Sequence, residues 1–401
     1  MAFGTVLLTV MTHTNDLFYA KKGIELFWVL NAFRSLVFYP LKMAWPQGLT
    51  AYYPFPPDIG GFYRFECFCA ATVVILVAYL LFRLRRKAPY LWAAGLFYLI
   101  TLLPVLGIVQ TGSQAAADRY TYLASLGFFL PFSAGVAHLL SYRWAPYAGL
   151  AFLLSALLGL GTTRQIGTWR NSHELWVRVT RVYPAENPTA YSKLGVAYLK
   201  ARKYNEAQEA FTRACALPPP TAGPYNGLGM AFLYKGRMAD AILEFRYALK
   251  LDPHLNAARL NLWAIYDSLD RHEEALDQMV AALSIESDSP AIYGNLGKSY
   301  RSMKKFGEVR KAFDKALRLY RQDMDQNPVE PVYDLKTGEI YLSEGLNAKA
   351  LGYLRKAWNL NITNPDLLQE TGEDFEKAGE PGLAKQCRDK AHAMEAGRNT
   401  F

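Results

Sequence analysis

The sequence predicts an all-α protein in two parts, an N-terminal polytopic transmembrane helical bundle followed by an α-solenoid of paired helices. Three observations predict it. The first 165 residues are dominated by uncharged apolar runs, the remainder repeats large and small residues at a period of 34, and charge is divided unevenly between the two. The 401-residue chain has 44 Lys and Arg against 35 Asp and Glu. Residues 1–165 hold 12 and 5 of these, leaving 32 and 30 for the rest, so +7 of the net +9 belongs to the apolar part. An excess placed there reflects membrane topology, whereas a nucleic-acid surface gathers Lys and Arg on one face. The cluster Lys304, Lys305, Arg310 and Lys311 reads as a solvated helix face, and no nucleic-acid partner is expected.

The apolar part, residues 1–165, is expected to place spans near 24–43, 66–82, 88–109, 121–140 and 144–163. Each of the last four is free of charged residues or nearly so, and a helix crossing hydrocarbon needs about 20 such residues. The first carries Glu25, Asn31 and Arg34, which leaves it a fifth span or an interfacial helix. Ala2–Met11 is apolar but short, without the basic start and small-residue cleavage site of a signal peptide, and reads as the end of a helix begun upstream. The cluster Arg83–Lys87 should face the cytoplasm. Counting crossings from there puts Gln110–Tyr120 and everything after Thr163 outside it, in a periplasm or a secretory lumen.

Residues 166–187 read as a linker with a capping helix, Ser172–Val182, ahead of Pro184. The repeats follow over 188–398. Tyr191, Leu194, Gly195, Tyr198, Ala207, Phe211, Ala214 and Pro219 recur 34 residues on as Tyr225, Leu228, Gly229, Phe232, Ala241, Phe245, Ala248 and Pro253. This is the spacing of a tetratricopeptide (TPR) helix pair, in which small residues let two helices approach and aromatics fill the gap. Six repeats are expected, at 188–221, 222–255, 256–289, 290–323, 331–364 and 365–398, with about seven extra residues around Asp323–Pro328. The polar last repeat suits a cap facing solvent.

Leu103-Pro104-Val105-Leu106-Gly107 through Ala117-Asp118-Arg119-Tyr120-Thr121-Tyr122-Leu123 resembles the last outer loop of a family joining a GT-C-type membrane domain to C-terminal TPRs. Thr168-Trp169-Arg170-Asn171 with Leu175-Trp176 and Pro184 resembles it too, as do Tyr39-Pro40, Trp45-Pro46 and Tyr52-Tyr53-Pro54. The family includes the transmembrane and TPR-repeat-containing O-mannosyltransferases. The resemblance implies transfer of a sugar from a polyprenyl-phosphate donor to a protein or other acceptor. It also implies an acidic residue or pair in the first long outer loop. No Asp-Asp or Asp-Glu pair precedes residue 165, so this chain is expected to start after that loop, and no catalytic residue is assigned.

Two sets of residues are candidates for binding. In the outer loop, Arg119 suits a lipid phosphate and Asp118 could orient it or act on a hydroxyl, with Tyr120 and Tyr122 beside them. The same residues read rather more readily as an Asp–Arg pair fixing the loop, with interfacial tyrosines. Lys42 with Arg34, and Asp58 with Arg64, are weaker candidates. In the repeats, first helices line a concave groove for a protein or peptide: Asn226, Met230, Tyr234, Asn261, Asp267, Asn295, Lys298 and Arg301. Asn261 and Asn295 fall at equivalent positions, where amides serve a peptide backbone or bond between repeats. The six His residues are dispersed and the four Cys lack zinc spacing, so no metal is expected and packing explains the thiols. Two functions follow: the C-terminal part of a glycosyltransferase that presents acceptor on its TPRs, or a membrane-anchored scaffold. Transport is disfavoured because the certain spans contain no buried ionisable residue apart from His138.

Overall fold

The computed structural model describes residues 25–54, 61–106, 114–142, 153, 156–157, 159–163, 165–184 and 187–399. The chain packs as two units, Met1–Pro220 and Thr221–Phe401. Unit one contains α1 (Glu25–Ala44), β1 (Tyr53–Pro54), α2 (Gly61–Leu84), α3 (Pro89–Leu102), β2 (Gln114–Ala116), α4 (Thr121–Tyr142), α5 (Ser172–Val182), α6 (Pro188–Lys200) and α7 (Tyr204–Ala216). Unit two contains α8 (Ala222–Tyr234), α9 (Met238–Leu251), α10 (Asn256–Ser268), α11 (His272–Leu283), α12 (Pro290–Ser302), α13 (Phe306–Gln326), α14 (Pro331–Ser343), α15 (Asn347–Asn359), α16 (Pro365–Lys377) and α17 (Pro381–Asn399).

The apolar part differs from its expected five spans. Among the described residues two helices are long and apolar enough to cross a membrane, over Arg64–Leu84 and Asp118–Ala137. The segment expected to span 88–109 stops early. Its α-helix ends at Leu102 and tightens into a 3-10 turn over Leu103–Val105, where Pro104 has no N–H to continue the ladder. The 24–43 segment forms α1, but Glu25, Arg34, Lys42 and Pro40 interrupt its apolar run. Most of 144–163 lies outside the described residues, as do Ala2–Met11 and Asp58.

A small core forms where α1, α3, α4 and the strand pair meet, around Tyr39, Tyr53, Leu102 and Ala124. Tyr98 on α3 donates to the Leu36 carbonyl of α1 at 3.0 Å, satisfying a phenol inside that core. A Cβ on Gly127 of α4 would sit 2.8 Å from the Ala94 carbonyl of α3, so the small residue permits that crossing. The outward faces of α2 and α4 stay uncovered: Ile75 is 62% exposed and Leu130 64%.

In the repeats, the 34-residue period becomes an interlock. A Cβ on Gly195 would lie 2.8 Å from the Phe211 ring, and one on Gly229 would lie 2.7 Å from Phe245. Gly297 meets Phe313 in the same way, while Gly338 meets Leu354. The third repeat carries Trp263 where these have glycine and Met279 where they have the large partner, and there a half-buried indole packs on the cluster around the thioether instead of a ring seated on a glycine. The turn between paired helices also repeats. Arg202, Gly236, Asp270 and Lys304, then Gly345 and Gly379, all have positive φ. Each turn closes with a hydrogen bond reaching back into the first helix, such as Lys305 N–H to the Tyr300 carbonyl at 2.9 Å. The extra residues after Asp323 prolong α13, which runs 21 residues against 12 to 14 in the other second helices from α7 to α15.

Candidate functional site

The loop site rests on the strand pair. β1 and β2 run antiparallel with Tyr53 opposite Ala116, which carries the following 3-10 turn, Asp118–Tyr120, to the head of α4. Tyr53 Oη donates to Asp118 Oδ1 at 2.7 Å, across 65 residues of sequence. Burial, with the Asp118 carboxylate next, raises the Tyr53 pKa far above its usual value, so the phenol keeps its proton and acts as the donor. Asp118 Oδ2 is buried and has no hydrogen-bond partner among the described residues. Arg119 points elsewhere: Nη1 reaches the Ala51 carbonyl at 3.4 Å, and the guanidinium carbon lies 5.1 Å from the Tyr120 ring. No Asp118–Arg119 ion pair occurs among the described residues. Tyr122 is 70% exposed.

Lys42 and Arg34 each lie 5.6 Å from the Phe38 ring, and Lys42 also lies 5.8 Å from the Tyr53 ring and donates to the Gln47 carbonyl at 2.6 Å. Arg34 bonds Glu66 Oε2 at 3.1 Å, tying α1 to α2. The capping helix α5 completes this region. Asn171 caps it by accepting from Glu174 N–H at 2.8 Å, and Trp176 and Tyr183 pack on Tyr52 and Tyr53. The sequence showed Tyr53 only as part of an aromatic run; its pairing with Asp118 depends on strand register that no local spacing reveals.

In unit two the groove residues divide. Asn261 Nδ2 donates to Asn226 Oδ1 at 3.1 Å, so these two amides bond each other between repeats. Tyr234 is exposed and Met230 half-buried on the same helix. Asp267 lies beside His272, with Oδ1 and Nδ1 3.5 Å apart. The carbonyl of Asn295 accepts from Ser299 Oγ. Lys298 and Arg301 share one face of α12.

Both line a cavity of about 520 Å³ formed by the first helices of the last three repeats, α12, α14 and α16. Its walls are densely charged. Lys298 Nζ lies 3.3 Å from Glu339 Oε2, and Arg301 Nη1 donates to the Ser343 carbonyl. Lys336 bridges Glu339 and Glu370. Burial opposes the Lys336 charge, yet those carboxylates hold its pKa above the ordinary value. Asp374 is 3% exposed, and its Oδ1 takes Lys377 Nζ at 3.2 Å while Oδ2 has no partner. Burial, reinforced by Glu339, pushes Asp374 up to about 6, against the pull of Lys377. Asp374 escaped the sequence reading although the period marks it: Ile340, Ser299 and Ile265 hold its equivalent places and are all buried. A carboxylate in a register otherwise filled by Ala, Ser and Ile was the available signal. No group of three or more metal-ligating side chains occurs among the described residues.

The chain's repeats agree with known TPRs. A tetratricopeptide repeat model matches residues 192–256 and 226–291, and a second matches 290–323. The chain is 25% identical over 218 residues to human protein O-mannosyl-transferase TMTC1, covering 54% of this chain and 24% of that protein. It is 23% identical over 326 residues to human protein O-mannosyl-transferase TMTC3, covering 75% of this chain and 33% of that protein. The chain thus spans a quarter to a third of these relatives. The longer match exceeds what the residues after 165 can supply, so it runs into the apolar part. Pseudomonas aeruginosa type IV pilus assembly protein PilF is 29% identical over 136 residues, 33% of this chain and 53% of that protein. A solved PilF structure aligns at TM-score 0.36 with 22% identity, over 50% of this chain and 89% of that one.

Proposed function

We propose that this chain is a membrane-anchored TPR protein whose repeats hold a segment of a partner protein in the charged groove of α12, α14 and α16. The observation that carries it is the cavity itself: three successive first helices present paired and unpaired charges to a space large enough for several side chains. A structural surface has no need of a buried, half-bonded carboxylate there. Anchoring is supported by α2 and α4, whose apolar surfaces the chain leaves bare; in water that exposure costs about 25 cal/mol per Å².

An extracytoplasmic location for the repeats has structural support independent of counting crossings. β1 precedes α2 and β2 precedes α4, so their pairing puts the starts of both helices at one end. Tyr52 and Tyr53 hold α5, the entry to the repeats, at that same end. The basic cluster Arg83–Lys87 lies at the other end of α2, where positive charge marks the cytoplasmic side. The test is a photo-crosslinking residue at Ser343 in the groove, compared with one at exposed Arg318 on α13, in sealed membranes. Crosslinks to a discrete partner from Ser343 alone are expected, with the repeats protected from protease added on the cytoplasmic face. Equal labelling from both positions would sink the groove reading.

A second reading, that the chain is the C-terminal part of a glycosyltransferase using a polyprenyl-phosphate sugar, is favoured by the match to O-mannosyl-transferases running into the apolar part. In this reading the Asp118 turn, with Arg119 beside it, meets the donor and the groove holds the acceptor. Arg119→Ala is then expected to abolish transfer from the lipid-linked sugar in membranes while the repeats melt unchanged. Full retained transfer would remove Arg119 from that role.

A further inference from the structure

The groove's bonding state identifies what its ligand must bring. Every cation around the cavity already has an oxygen: Lys298 has Glu339, Arg301 the Ser343 carbonyl, Lys336 two glutamates, and Lys377 Asp374 Oδ1. The unfilled valences are anionic. Asp374 lines the cavity, and its buried Oδ2 has no hydrogen-bond partner among the described residues. Glu373, one residue before it on α16, lines the same space, is exposed and makes no ion pair among the described residues.

We infer that the cavity receives the side chain of a lysine or arginine from the bound protein segment, its cation docking on Glu373 and the adjoining Asp374 carboxylate. This deepens the groove reading above and rests on it. The chemistry follows from the inventory. A ligand carboxylate would have to displace one of the existing partners before finding a cation. An apolar side chain would leave Asp374 Oδ2 buried and unbonded, a costly state. A cationic donor completes the set without breaking any existing pair, and charge-assisted hydrogen bonds to carboxylates are the stronger kind. The repeat register agrees, because only α16 places a carboxylate where α10 and α14 bury isoleucine and α12 buries a serine that accepts from Trp263. The other charges are fixed by neighbouring repeats, which leaves α16 to select.

The experiment is selection of a random decapeptide display library on the full-length chain in detergent, followed by affinities of the selected peptides for wild type, Asp374→Asn and Glu373→Gln. Selected peptides should share Lys or Arg at one position. Their affinity should fall at least tenfold in Asp374→Asn and severalfold in Glu373→Gln, and replacing that basic residue by norleucine should cost the wild type as much. Glu373 is exposed, so its variant keeps the test valid if Asp374→Asn perturbs folding. Selected peptides with no fixed basic position, or ones indifferent to both variants, would overturn the inference and leave the groove reading standing. No enrichment at all would overturn both.

Discussion

The outward faces of α2 and α4 and the interior of the repeats are both apolar, yet they use apolarity in opposite ways. Phe68 and Ile75 on α2 project from the chain with nothing packed over them, 67% and 62% exposed. Phe211, Phe245 and Phe313 are buried against glycines that would clash if they carried a Cβ. The two regions draw their stability from different sources. Close-packed interlocks are intrinsic to the chain and forfeit dispersion and transfer energy when a side chain is cut. Bare apolar helices depend on what surrounds them, and a cut there costs the chain's own packing little.

The sharpest break of this contrast is truncation of one aromatic in each region. Phe245→Ala empties a fully buried site and is expected to cost about 3–5 kcal/mol, read as a large fall in the melting temperature of the repeats. Phe68→Ala on α2 should leave that melting temperature within error. Similar losses at both positions would mean that α2 is covered by protein.

Next in size is a charge on the bare face. Ile75→Arg should cost about 2.5–3.5 kcal/mol if α2 crosses a bilayer, seen as loss of the chain from the membrane fraction. The same change on a water-facing helix stays within about 0.5 kcal/mol. Unchanged membrane association with Ile75→Arg would therefore end the anchoring role of α2.

Asp374 supplies the third, and its sign can be worked out. Its folded pKa of about 6 lies above the ordinary 3.8, so the folded state holds the proton more tightly. Stability from this group is fully present below about pH 4 and is lost as pH rises toward 6, after which the penalty is constant. Asp374→Asn is expected to stabilise the repeats on the order of 2 kcal/mol at pH 7 and to flatten stability between pH 4 and 6. A residue that weakens the fold while weakening peptide binding when removed is retained for the ligand. Destabilisation in Asp374→Asn at pH 7 would make the carboxylate a structural element.

The repeats were legible because their packing is local and periodic: Gly195 and Phe211 are 16 residues apart, and the same pair returns at Gly229 and Phe245. The insertion was legible too, because Gly338 and Tyr341 resume the frame about seven residues late, and the positive φ of the turn moves with them from Lys304 to Gly345. What period alone could not show is where that insertion goes, and it became two more turns of α13. The spans were harder. Apolar composition located α2 and α4, but Pro104 ended the helix of the 88–109 segment early, and a hydropathy run does not register a missing N–H. The Tyr53–Asp118 bond joins two loops through strand pairing, which lies beyond any motif.

The smallest effect separates repeat geometry from repeat sequence. Gly236 and Gly345 take positive φ without strain, while Lys304, at the same turn with φ 59°, carries a Cβ in a region costing an L-residue about 1–2 kcal/mol. Glycine would relieve that cost but lose more entropy on folding, so Lys304→Gly should stabilise by a net of about 0.5–1 kcal/mol. Gly236→Ala should destabilise by about as much. Chemical denaturation of the two variants reads both changes. Opposite signs show that the turn dictates the residue, as the bond from Lys305 N–H to Tyr300, repeated from Arg237 to Phe232, requires. A destabilised Lys304→Gly would mean that the lysine side chain contributes more than its backbone costs.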